Sequence, residues 1–228
     1  MISSADFVFW IYATVLSIFV AFVIIVRGQF RRFSLLAMYF VIVSAVSLLR
    51  LHVFNTYGFT SREYGYFYYY SDLLLSVALY FVIASLYRKV FPSGKSHLHV
   101  LRGSVMIAAG VGIFSFAIVQ EFSSRLLTHW ILEYGQDLYI VSALAALFLF
   151  GAATRKPNTP KLVRQLTFVF AGYYLFFAMM YMIRNLSPHW NSLGKFVAFF
   201  GMWLPLGVAY VFCDPSINKS LDDPYPPL

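Results

Sequence analysis

Seven uncharged apolar stretches dominate this chain, at residues 7–26, 33–49, 73–87, 103–120, 138–154, 166–183 and 196–213. A helix needs about 20 mainly apolar residues, with a range of about 17–25, to cross the hydrocarbon core of a bilayer. The third and fifth stretches are shorter and reach that length when extended outward through Asp72 and Asp137. Strands of a membrane barrel alternate polar and apolar residues over about 10 positions, and these stretches do not. Helices are then the remaining way to satisfy backbone polar groups in lipid. The expected fold is all-α: a polytopic integral membrane protein, built as a seven-transmembrane-helix bundle over residues 1–213 with a short Pro-rich tail at 214–228.

Composition agrees. The chain is 61% hydrophobic and 11% charged, against about 25% charged residues in soluble domains. Its formal charge of +8 would point to nucleic acid if the basic residues formed a patch. They instead sit in short clusters between apolar stretches, which is how membrane proteins encode topology. One set of loops, with Arg27, Arg31, Arg32, Arg88 and Lys89 among its members, holds 12 Lys and Arg. The other holds Arg50, Arg62, Arg125, Arg184 and Lys195, and the two sets account for all 17. The richer set belongs in the cytoplasm. This puts the N-terminus outside and the C-terminus in the cytoplasm, in a multi-pass protein of the cell (plasma or inner) membrane. Trp10, the tyrosine-rich run 64–70, Trp130 and Trp190 then form an outer aromatic belt. The first stretch follows Asp6 without a basic n-region, so it reads as a retained span rather than a cleaved signal. The single cysteine, Cys213, excludes an internal disulfide and any zinc site built on cysteines. No histidine pair has metal-ligand spacing at membrane depth; His97, His99, His129 and His189 read as loop residues.

Ionisable groups inside a membrane are costly, face the bundle interior, and mark functional positions. Counted from the inner ends of their spans, Asp72, Asp137 and Arg50 lie about 24–27 Å up, at nearly one height. Glu133, Arg184 and Asp6 lie about a turn above them. Residues three or four apart share a helical face. Trp10 thereby joins Asp6 and Thr14 on the first span, and Ser44, Ser47 and Arg50 align on the second. Glu133 joins Asp137 on the fifth, and Tyr174, Tyr181 and Arg184 align on the sixth. These faces predict an outward-opening, tyrosine-rich cavity floored by Arg50, Asp72 and Asp137. Structural ion pairs that fix helix register are the competing reading of the same charges. Pro205 is expected to kink the seventh helix.

Seven spans with the N-terminus out are shared with microbial rhodopsins, but the retinal lysine of that family has no counterpart here. Lys195 lies at the outer mouth of the seventh span, and residues 201–207 contain no amine. In layout the chain resembles the membrane-embedded seven-helix sensor modules of bacterial signalling proteins. With short loops, no nucleophile beside a base, no metal and no cofactor motif, it reads as a non-enzymatic sensor or receptor-like module in the lipid bilayer. It would bind a small polar ligand from the outer face and signal to a cytoplasmic or membrane protein partner. A small secondary transporter, possible with proton coupling through Asp72 or Asp137, and an accessory membrane subunit are the alternatives.

Overall fold

The computed structural model describes residues 4–58, 60–92, 97–122, 126–186 and 201–214. Seven helices fill these residues: α1 (Ser4–Val26), α2 (Ser34–Tyr57), α3 (Arg62–Val90), α4 (His97–Phe122), α5 (Leu126–Arg155), α6 (Lys161–Leu186) and α7 (Trp203–Cys213). The described residues contain no strand. The first six helices are each long and apolar enough to cross a membrane. Helix α7, with 11 residues, would rise only about 17 Å on its own. The expected seventh span began at residue 196, and 196–200 lie outside the described residues, as do His189, Trp190 and the tail 215–228.

Helix ends follow local chemistry. Past the end of α1, Gly28 adopts φ +68°, and the amides of Gly28 and Gln29 donate back to Ile25 and Ile24 carbonyls, a left-handed glycine stop. Helix α2 ends at Gly58, φ +82°, whose amide donates to the Phe54 carbonyl. Three residues on, Ser61 caps α3 by accepting from the Tyr64 amide at 3.0 Å, and Glu63 occupies the first turn, where a carboxylate complements the helix dipole. Pro160 precedes α6, a position where its missing N–H removes no bond.

Charge does not terminate these helices. Helix α2 runs seven residues beyond Arg50, and α3 begins ten residues before Asp72. Helix α5 begins at Leu126, so His129 is helical, and His99 lies in the first turn of α4; both were expected in loops. The helix that Pro205 was expected to kink lies, before residue 201, outside the described residues. Pro205 sits in the first turn of α7, after a helical Gly201 and a turn at Met202 that keeps αR backbone; it has no N–H to give the Gly201 carbonyl four residues earlier.

Neighbouring helices pack in a ring α1–α2–α3–α5–α6–α7, closed by α7 against α1. Helix α4 lies outside that ring against α5 and α3. Large apolar side chains face outward all round, among them Val8, Phe22, Met106, Ile113, Phe148 and Met182. So wide an apolar surface has lipid as its natural solvent.

The two ends of the ring differ. At one, Ile24, Leu36, Phe40, Leu86, Leu149, Leu162, Leu166 and Phe212 are fully buried and join six helices in one apolar core. Phe33 meets Phe212 edge-on at 5.4 Å. Lysines cover the rim: Lys89 lies 4.4 Å from the Phe33 ring centre, and Lys156 lies 3.9 Å from that of Phe91. The other end is where the polar groups gather.

Candidate functional site at the polar end of the bundle

The site begins with one strip of α2 and one of α3. Ser47 and Arg50 are three residues apart on α2, and Tyr64, Tyr68, Ser71 and Asp72 recur at helical spacing on the facing side of α3. The turn between Gly58 and Ser61 sets these strips side by side. Arg50 Nε donates to Ser71 Oγ at 2.8 Å, and Nη2 donates to the Tyr68 carbonyl at 3.1 Å. Nη2 also lies 3.6 Å from Asp72 Oδ1. The guanidinium carbon stands 4.2 Å from the centre of the Tyr68 ring, within range of a cation–π contact. Ser71 can accept from Arg50 because its own proton goes to the Tyr68 carbonyl at 3.0 Å.

Exposure is divided unequally within this pair. The Arg50 side chain is 13% exposed and that of Asp72 39%. The cation is held by four groups of α3, while the carboxylate keeps an outward face. Of the partners expected for Arg50, Asp72 and Asp137, the structure supplies Asp72.

Asp137 is engaged elsewhere. Its Oδ2 lies 2.7 Å from the hydroxyl of Ser115, a fully buried residue of α4. The same hydroxyl lies 2.8 Å from the Val111 carbonyl. A serine has one proton, so two acceptors share it. Two turns earlier on α5, Trp130 Nε1 donates to the Gly112 carbonyl at 2.9 Å, and its ring stacks on Tyr134 at 5.8 Å. These contacts fasten α4 to α5. Glu133 is half-buried on the same helix.

Trp10 joins α1 to the site: its indole N–H donates to Ser47 Oγ at 3.1 Å. Tyr181, on α6, packs against Tyr139 of α5 at 5.4 Å between ring centres. The side chains of Asp6 and Arg184 lie outside the described residues. The predicted floor therefore consists of two separate arrangements, Arg50 with Asp72 between α2 and α3, and Asp137 with Ser115 between α5 and α4.

Below the first arrangement runs a feature the sequence reading underweighted. Tyr39, Tyr139, Tyr173 and Tyr174 are all buried. Ser76 donates to the Asp72 carbonyl at 2.9 Å, and the Tyr139 ring packs against Tyr174 at 5.7 Å and Phe177 at 5.6 Å between ring centres. The sequence reading placed Tyr174 on a polar face of the sixth span and gave the run 64–70 to the interface; Tyr39, Tyr139 and Tyr173, among 17 tyrosines, carried no distinguishing spacing.

Among the described residues, no group of three or more His, Cys, Asp or Glu could hold a metal ion. Compared with known proteins, the chain matches no family model, no curated sequence and no solved structure.

Proposed function

We propose that this protein is a non-enzymatic sensor or receptor-like module of the cell membrane, which binds a small polar ligand from the outer face and passes a conformational signal to a separate cytoplasmic or membrane partner. One observation carries the reading: the bundle is polar and aromatic at the Arg50–Asp72 end and filled by a continuous apolar core at the other. A ligand site reached from one side needs only the first of these ends. Alternating access needs two openings around a site near the midplane. The 12-to-5 division of Lys and Arg makes the polar end the outer one.

The groups at that end favour a ligand bearing hydrogen-bond donors. Arg50 already gives its donors to Ser71, Tyr68 and Asp72, so the outward face of Asp72 and the neighbouring tyrosine rings are what a ligand meets. A ligand that competes for Asp72 would loosen the tie between α2 and α3, and that change in helix packing is the proposed signal.

The test uses purified protein in sealed proteoliposomes carrying a lumenal pH dye, challenged with a panel of small amines and amino acids. Binding of at least one compound, weakened in Asp72→Asn and unaccompanied by a lumenal pH change, supports the sensor. A compound-dependent pH change that Asp72→Asn abolishes would replace this reading with proton-coupled transport.

A further inference from the structure

Two lysines lie against phenylalanine rings at the end of the bundle opposite Arg50, and they differ in one respect. Lys156 Nζ, 3.9 Å from the centre of the Phe91 ring, also donates to the Val90 carbonyl at 3.4 Å. Val90 is the last residue of α3, where carbonyls lack a partner in their own helix and attract cations. Lys89 lies 4.4 Å from the centre of the Phe33 ring and is half-buried. Among the described residues, its ammonium has no hydrogen-bond acceptor and no carboxylate within ion-pair distance. An ammonium carries three donors, and Lys89 still offers them.

A second cation stands at the same ring. The guanidinium carbon of Arg32, in the turn between α1 and α2, lies 5.8 Å from the Phe33 ring centre. Arg32 is engaged elsewhere as well, and with five N–H donors it can serve a further acceptor. Phe33 is 3% exposed, so its ring is a fixed base for two cations from separate elements. Like charges that share one ring repel, the more so away from bulk water, and an anion beside both turns repulsion into attraction. The wider face has the same sign: among the described residues, this end carries ten Lys and Arg against one acidic residue, Asp214. Next to the cations the surface is apolar, with Val26 and Phe30 exposed before Arg32 and Leu35 exposed after it. A diffusible anion uses only the charges. A phospholipid uses both, with its phosphate on the cations and its acyl chains on the apolar residues beside them.

We propose that Lys89 and Arg32, set over the Phe33 ring, form a headgroup site for an anionic phospholipid at the end of the bundle opposite Arg50. The phosphate accepts from both side chains and ties the end of α3 to the turn between α1 and α2. Arg50 makes the corresponding tie between α2 and α3 near their other ends. The site does not depend on ligand binding at Asp72.

The test titrates the full chain, purified in detergent, with dioctanoyl phosphatidylglycerol, dioctanoyl phosphatidylcholine or inorganic phosphate, and follows the unfolding midpoint. Phosphatidylglycerol should raise the midpoint in a saturable way, as a ligand of the folded state does, and the other two should leave it unchanged. Lys89→Gln and Arg32→Gln should each raise the half-saturating concentration about tenfold or more, the loss of one charge-assisted hydrogen bond. Lys89→Arg should keep the native value. Arg164→Gln, which removes an exposed cation of α6 at the same end, should keep it too. Variants at 89 and 32 that behave like Arg164→Gln would mean a diffuse response to net charge, and would overturn the site. A rise with inorganic phosphate as large as with phosphatidylglycerol would mean a site for a diffusible anion. No rise with phosphatidylglycerol would mean that no headgroup binds. Either result overturns the proposal. If Lys89→Gln folds poorly, Arg32→Gln set against Arg164→Gln carries the same comparison.

Discussion

Arg50 Nη2 lies 3.6 Å from Asp72 Oδ1, but Arg50 Nε lies only 2.8 Å from Ser71 Oγ, so the shortest contact of the cation is to a neutral hydroxyl. The ion pair is one of several restraints on Arg50, and the two partners should respond differently to removal. Loss of a partly exposed carboxylate costs about 0–1 kcal/mol. Loss of the arginine removes two charge-assisted hydrogen bonds and the contact with the Tyr68 ring, at about 1.5–3 kcal/mol for each bond to a charged group. Arg50→Gln should therefore lower thermal stability more than Asp72→Asn. The double variant should be less destabilised than the sum of the two singles, measured by unfolding in one detergent. Strict additivity would mean that the 3.6 Å contact carries no energy.

The second acidic position should behave in the opposite way. Ser115 stands 2.8 Å from the Val111 carbonyl and 2.7 Å from Asp137 Oδ2, with one proton for two acceptors. An asparagine amide at position 137 could donate to Ser115, freeing the serine proton for Val111. Asp137→Asn is expected to match or exceed the stability of the native protein. Ser115→Ala leaves the carboxylate without its donor in a buried interface and should cost about 1–3 kcal/mol. Unfolding midpoints of the two variants check this, and a large loss in Asp137→Asn would show that the negative charge itself is needed.

Helix α7 depends on a close approach to α6. A Cβ built on Gly207 would lie 2.6 Å and 2.9 Å from the two methyl carbons of Val169, and valine is stiff about χ1. Gly207→Ala should destabilise the protein by about 1–3 kcal/mol, as overpacking does. The cost should largely disappear in a Val169→Ala background. An equal loss in both backgrounds would place the strain elsewhere.

The apolar stretches were legible in the sequence because lipid selects residues by hydropathy alone, and that carried the helical class and six long apolar helices. Boundaries read from the same signal were short. A charge ends an apolar count, whereas a helix continues through Arg50 and Asp72 as long as each charged head finds partners on the facing helix. Equal depth suggested a single floor for Arg50, Asp72 and Asp137. Depth carries no azimuth, and the α4–α5 contact that turns Asp137 toward Ser115 depends on helix packing.

Orientation is the remaining premise of outward ligand access, and it can be checked at two exposed threonines. Thr56 lies at the Arg50 end of α2, and Thr154 lies at the opposite end of the bundle, near the close of α5. Each hydroxyl donates within its own helix, to His52 and Gly151 respectively, so replacement disturbs no contact between helices. In a Cys213→Ser background, Thr56→Cys should react with a membrane-impermeant maleimide in intact cells. Thr154→Cys should react only after permeabilisation. The reverse pattern would turn the polar end toward the cytoplasm and remove the basis for an external ligand. Labelling of both positions from outside would contradict the assignment of α3, α4 and α5, the three helices between them, all as spans. The physical reason to expect the first pattern is the cationic rim at the Thr154 end, where Lys89 and Lys156 rest over Phe33 and Phe91. Basic residues flanking short loops are retained on the cytoplasmic side during insertion.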